Sequence, residues 1–184
     1  ERFNCAAFVF KGKVLALIPK SFIPNYSEFY ESRWFASFSE NTVKQISLCK
    51  GLEDIPFGTD IFIQDENDSS IKISAELCED LWVPFSPSTR HALNGATIIA
   101  NLSASNEVAG KAEYRRILMT GHSAKTVSAY IYANASHDES STDMIFSGHS
   151  IIAANGAIKA ESGLFENTQE FLIADIDLEK PTQD

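Results

Sequence analysis

The chain has 184 residues, 44% hydrophobic and 22% charged, the proportions of a protein with a packed core rather than of a disordered or fibrous one. That length makes about one domain, and 1–184 reads as a single unit because no linker, internal repeat or low-complexity tract divides it. A formal net charge of -10 and a pI near 4.8 remove the basic footprint that nucleic acid or an anionic membrane surface requires, so neither is expected as a partner.

The first elements read from the N-terminus are strands at 8–10 and 14–18, joined by the turn pair Lys11-Gly12, and apolar runs at 61–64, 71–77 and 97–101 follow. Because the chain enters a strand almost at once, with no helix to cover that strand's face, material is expected to be missing upstream. The stretch 65–70 is acidic and serine-bearing, an exposed loop. Ser88 is placed to cap a short helix ending near Leu93, with Asn94-Gly95 as its stop. From 111 to 128 the apolar positions Tyr114, Ile117, Leu118, Gly121, Ala124 and Val127 recur at helical steps while Arg115, Arg116 and Lys125 face elsewhere, which predicts an amphipathic helix. Strands are then expected at 129–135, 144–154, 157–161 and 171–176, with Asn155-Gly156 the strongest hairpin signal in the sequence. The order of strands and helices is that of an α/β fold.

Three cysteines, Cys5, Cys49 and Cys78, are widely spaced and form no CxxC pair. They argue against a disulfide framework or zinc site and for a reducing compartment, the cytoplasm. No run approaches the roughly 18 apolar residues of a membrane span, and the first four residues lack a signal peptide's basic start. His91, His122, His137 and His149 show no metal-ligand spacing, so no metal is expected.

Three segments carry chemistry. In Ile71-Lys72-Ile73-Ser74-Ala75-Glu76-Leu77-Cys78-Glu79-Asp80-Leu81-Trp82, a β-rich run ends at a cysteine. A thiol there sits where the chain turns, and a helical turn starting at Glu79 would favour its thiolate form. A buried, inert cysteine at a strand end satisfies the same spacing, since free cysteine is among the most buried residue types. In Pro19-Lys20-Ser21-Phe22-Ile23-Pro24-Asn25-Tyr26, Lys20 also closes a strand; an ammonium at the same sheet edge would stabilise a developing oxyanion, whereas the bland alternative is a surface lysine. The loop that follows is densely aromatic, through Tyr26, Phe29, Tyr30 and Trp34. In Asn101-Leu102-Ser103-Ala104-Ser105-Asn106, a strand runs into a polar loop and then a helix beginning near Lys111. Small polar groups at a strand's carboxyl end suit ligand binding, and Ser105 or Asn106 would equally serve as a simple helix cap.

Taken together and in this order, PKSFIPNYSEFYESRWF, AELCEDLWVP and NLSASNEVAGKAEYRR, with the later hairpin segment FSGHSIIAANGAIKAES, resemble the glutaminase domains of glutamine-dependent NAD synthetases, a branch of the nitrilase, or carbon-nitrogen hydrolase, superfamily. The resemblance covers essentially the whole chain. It implies a nitrilase-like four-layer αββα sandwich, truncated at its N-terminus. Cys78 would be the nucleophile, Lys20 the transition-state stabiliser, the backbone N–H of Glu79 an oxyanion donor, and Tyr26, Ser105 and Lys111 the residues that hold L-glutamine. It implies no cofactor for the glutaminase step, ATP and Mg in a separate synthetase domain of the same polypeptide, and a homo-oligomer. It also exposes a departure. The family's general-base glutamate lies well upstream of the lysine, and the only glutamate before Lys20 in this chain is Glu1. The alternatives are a stand-alone nitrilase-type amidase acting on another amide, and an inactive scaffold of the same fold.

Overall fold

Both hairpin signals act as written. At Lys11-Gly12 the backbone φ angles are 48° and 75°, and at Asn155-Gly156 they are 51° and 80°, the paired positive values of a tight turn whose twist matches the strands it joins. The first joins β1 (Cys5–Phe10) to β2 (Lys13–Pro19) and the second joins β9 (Ile151–Ala154) to β10 (Ala157–Glu161), both antiparallel. The computed structural model describes residues 1–38, 44–166 and 171–178.

Between the hairpins lie β3 (Gln45–Ile46), β4 (Ile55–Pro56), β5 (Phe62–Gln64), β6 (Lys72–Leu77), α1 (Pro87–Leu93), β7 (Ile98–Ser103), α2 (Lys111–Thr126) and β8 (Ala129–Asn134). The main sheet has six strands in the order β10-β9-β8-β7-β6-β5. Its centre, β6-β7-β8, is parallel, while β5 and β9 pair antiparallel on either side. Helices α1 and α2 cover one face of this sheet, and the β1-β2 hairpin packs on the other against β6. The layers therefore run helix, sheet, sheet. Two apolar clusters fill the spaces between them: Leu81, Ile99, Met119, Tyr130, Tyr132, Ile151 and Ala153 under α2, and Ala6, Ala16, Ile18, Ala75 and Leu77 between the sheets.

Because β6, β7 and β8 run parallel, the segments that follow them all leave from one edge of the sheet. There the chain enters the turn Cys78–Leu81 after β6, the loop containing Ser105 after β7, and the loop after Asn134. An α/β sheet gathers ligands at this edge because the loops are free to vary while the strands are not.

Four readings of the sequence need correction. Helix α2 buries Arg115, Met119, Ser123 and Thr126, while Tyr114, Ile117, Gly121 and Ala124 of the expected apolar face are exposed. Arg115 tolerates full burial because Glu107 lies 3.2 Å away and Nδ1 of His149 accepts its N–H at 2.5 Å. The cap of α1 is Ser86 with Pro87 in the first turn. Ser88 lies one residue further in, and its backbone N–H bonds Glu76 at 2.9 Å. The expected strand 144–154 is a strand only over Ile151–Ala154. Before it the chain turns at Gly148 (φ 72°), and Asn106 bridges to Phe146. No strand forms at 171–176, where Phe171 and Ile173 are 90% and 80% exposed, since no neighbouring strand among the described residues offers hydrogen bonds there.

Candidate active site

Cys78 occupies the turn that ends β6, with φ at 44°, a left-handed conformation that costs a residue with a Cβ about 1 kcal/mol or more. Two side chains hold it there. The amide carbonyl of Asn101 accepts the Cys78 backbone N–H at 3.1 Å, and the Asp80 carboxylate accepts that of Leu77 at 3.0 Å. A one-turn 3₁₀ helix, Cys78–Leu81, continues the chain, so the expected helical turn forms but begins at Cys78 itself, one residue before Glu79.

Lys20 follows the last residue of β2 and is 2% exposed. Its ammonium forms an ion pair with the Glu31 carboxylate, which also accepts an N–H from Asn4 at 2.8 Å. Lys20, Glu31 and Cys78 line one cavity of about 450 Å³. Glu31 was not singled out by sequence: it lies eleven residues after Lys20 in an irregular loop, which is closed by the Glu31 N–H donating to the Pro24 carbonyl at 3.1 Å.

On the other side of Cys78 lies a second cavity of about 490 Å³, lined among others by Tyr26, Glu28, Glu79, Trp82, Ser105 and Lys111. Cys78, Glu28 and Phe29 belong to both cavities, so the thiol stands at their junction. Lys111, the first residue of α2, lies 5.3 Å from the centre of the Trp82 ring and 5.7 Å from that of Phe29. It donates to the amide oxygen of Asn106, whose nitrogen donates to Glu28. Burial and then the Arg115 charge pull the ammonium below its usual range, against the carboxylates around it. The Tyr26 hydroxyl donates to both oxygens of Glu79, at 3.1 and 3.0 Å. Burial first, then that carboxylate, push the Tyr26 phenol well up, so it stays a donor. Ser105 is 2% exposed, its backbone is pinned to Asn134, and its hydroxyl has no hydrogen-bond partner among the described residues. Neither Ser105 nor Asn106 caps α2, because Gly110, with φ at 82°, occupies the cap position.

The six residues singled out from sequence, Lys20, Tyr26, Cys78, Glu79, Ser105 and Lys111, thus fall around one pair of adjoining cavities. Glu28 and Glu31 also line these cavities, and Asp80 and Asn101 hold the backbone at Leu77 and Cys78 from behind; the sequence marked none of the four. Among the described residues no group of three or more His, Cys, Asp or Glu side chains is arranged to hold a metal ion, and no helix is long and apolar enough to cross a membrane. Chemically the arrangement offers a thiol beside an ammonium, next to a pocket that carries both a cation and carboxylates.

Residues 11–183 match the carbon-nitrogen hydrolase family, and this chain is a member of it. It is 40% identical over 177 residues to the glutamine-dependent NAD(+) synthetase of Mycobacterium tuberculosis, a match that spans 96% of this chain and 26% of that protein. With the human glutamine-dependent NAD(+) synthetase the identity is 31% over 186 residues, spanning 97% and 26%. The crystal structure of a glutamine-dependent NAD(+) synthetase from Cytophaga hutchinsonii superposes with a TM-score of 0.78 at 28% identity, over 94% of this chain and 27% of that one. Saccharomyces cerevisiae Nit3, of the nitrilase superfamily, shares the fold at a TM-score of 0.70 and 20% identity. The fold is therefore nitrilase-like. The chain is homologous to a segment of glutamine-dependent NAD synthetases and spans about a quarter of the length of the curated relatives it matches.

Proposed function

We propose that this chain is the glutaminase part of a glutamine-dependent NAD synthetase, in which Cys78 hydrolyses L-glutamine. The observation that carries this reading is the junction at Cys78. One cavity brings it an ammonium, and the adjoining one carries Lys111, suited to an α-carboxylate, together with Glu28 and Glu79, suited to an α-ammonium. A zwitterionic amino acid whose side-chain amide reaches the thiol fits that charge pattern.

In this reaction the Cys78 sulfur attacks the side-chain amide carbon of glutamine as a thiolate. Negative charge builds on the amide oxygen, where Lys20 and the backbone N–H of Glu79 stabilise it. The tetrahedral adduct collapses, the carbon–nitrogen bond breaks and ammonia leaves with a transferred proton, so that a thioester remains. Water then cleaves the thioester to glutamate and restores the thiol. The proton transfers need a general acid and base, a role for which the resemblance implies a glutamate upstream of the lysine. Tyr26, Ser105 and Lys111 hold the amino-acid end. The step needs no cofactor. In the whole enzyme the ammonia passes to a synthetase domain, where ATP and Mg support amidation of nicotinic acid adenine dinucleotide. We place the enzyme in the cytoplasm as a homo-oligomer, a compartment that suits its three free cysteines.

The test is Cys78→Ala in the full-length protein. Glutamine-dependent NAD formation is abolished and ammonia-dependent formation persists at the wild-type rate. A variant that still uses glutamine would overturn the assignment.

A further inference from the structure

The two halves of the reacting centre come from different layers, Lys20 from the end of β2 and Cys78 from the end of β6, 58 positions later. No strand pairing joins β2 to β6. Something must fix their separation, because positional slack of about 1 Å between reacting groups costs on the order of 100-fold in rate.

One side chain spans the gap. Asp80 is 1% exposed. Its Oδ1 accepts the backbone N–H groups of Ser21, at 3.1 Å, and Phe22, at 2.8 Å, the two residues directly after Lys20. Its Oδ2 accepts the N–H of Leu77, the residue directly before Cys78, at 3.0 Å. One oxygen thus serves the lysine loop and the other serves the nucleophile turn. The planar carboxylate converts two separate loops into a single rigid piece.

We infer that Asp80 is a positioning residue that sets the placement of Lys20 relative to Cys78 by clamping the backbones beside both. This rests on the proposed roles of Cys78 and Lys20. Only a carboxylate fits the clamp. The side chain meets backbone donors on both sides and so must accept at both oxygens, whereas an amide accepts at one and presents its own N–H groups at the other. Lys111 and Ser105 lie on α2 and on the loop after β7, with which Asp80 forms no hydrogen bond among the described residues, so these two pocket residues are held independently of it.

The test uses full-length Asp80→Asn, with the concentration of working sites set by saturating covalent labelling of Cys78 with a glutamine-analogue electrophile. Per labelled site, kcat for glutamine hydrolysis falls by about 100-fold, KM changes by less than about fivefold, and ammonia-dependent synthesis is unaltered. A merely unfolded fraction lowers the number of labelled sites and leaves kcat per site untouched, so that pattern overturns the clamp. So does a kcat per site within about threefold of wild type. Hydrogen exchange on the wild-type protein gives a reading that does not depend on the variant folding. The amides of Ser21, Phe22 and Leu77 are protected together, and exchange of Ser21 and Phe22 at the rate of exposed loop residues overturns the proposal. Cys78→Ala, run beside it, separates the two claims: glutamine hydrolysis by that variant would sink the nucleophile assignment, whereas a dead Cys78→Ala beside a fully active Asp80→Asn sinks the clamp alone.

Discussion

Asn101 accepts the backbone N–H of Cys78 at 3.1 Å with the same side chain that donates, at 3.0 Å, to the hydroxyl of Tyr130. Tyr130 in turn donates to Glu76, a carboxylate that is 1% exposed and whose pKa burial raises. The left-handed turn at Cys78 is therefore tied to a polar chain running into the core. Asn101→Ala removes a partner from the buried Tyr130 hydroxyl and from the half-buried Cys78 N–H. The expected loss is about 2 kcal/mol of unfolding free energy, read as a lower denaturant midpoint at unchanged slope. An Asn101→Ala protein as stable as wild type would show that the chain carries no such weight.

Glu31 is the sole ion-pair partner of Lys20 among the described residues. Glu31→Gln keeps the shape and removes the countercharge, so the buried ammonium loses both its compensation and its aim. Glutamine turnover is expected to fall by about 100-fold with a much smaller change in KM. Steady-state kinetics on the full-length protein decide the matter, and an unchanged kcat would assign Glu31 to structure alone.

Tyr26 and Glu79 line one cavity as a pair, the phenol donating to both carboxylate oxygens. Removing the hydroxyl in Tyr26→Phe frees Glu79 to swing away from the pocket. A charge-assisted hydrogen bond of roughly 1.5 kcal/mol corresponds to about a tenfold rise in KM for glutamine, with kcat held within about twofold. A fall in kcat at constant KM would instead place Tyr26 in the chemical step.

Stability should respond to pH through His122. Its ring packs edge-on against Tyr130, 5.2 Å between centres, and Nε2 lies 2.7 Å from the Ser88 hydroxyl. Burial, and then the charge of Lys125, lower its pKa from 6.5 to about 4. The unfolded chain therefore binds a proton at pH 6.5 while the folded one refuses it until about pH 4. The contribution of the neutral ring is fully present above pH 6.5 and is lost as pH falls toward 4. His122→Gln removes this sensitivity. Between about pH 7 and pH 5 it should lose about 1 kcal/mol less than wild type, a figure reduced for the half-buried ring. Parallel melts at the two pH values test it, and equal losses would refute it.

The second hairpin offers a backbone test. A Cβ added at Gly156, where φ is 80°, would lie 3.1 Å from the Cβ of Ala124 on α2. Gly156→Ala therefore combines a left-handed backbone with a close contact, and about 1–2 kcal/mol of destabilisation is expected in a denaturant titration. A neutral substitution would mean that the hairpin shifts away from the helix without cost.

What could be read in advance was whatever local chemistry decides. Lys11-Gly12 and Asn155-Gly156 make their turns from their own preferences, and the alternation into Cys78 marks a strand and its end. The burial of Arg115 is illegible in sequence because apolar periodicity has no means of recording a guanidinium whose terminal nitrogens pair with Glu107 and with His149, the latter 34 positions away. Glu31 was missed for a related reason: its role depends on a turn within an aromatic loop rather than on any spacing. Asp80 sat inside a motif that was read for its cysteine, and its three N–H partners emerge only when β2 and β6 are laid side by side.

That the central strands run parallel also has a temporal meaning. Parallel neighbours need a long crossover between them, and contacts distant in sequence form slowly because the chain must close large loops first. Lys20 and Cys78 stand 58 positions apart in different layers, so the ammonium and the thiol meet only once the β1-β2 hairpin packs on β6. The nucleophilic role proposed for Cys78 thus belongs to the finished tertiary structure, which alone sets it in one cavity with Lys20.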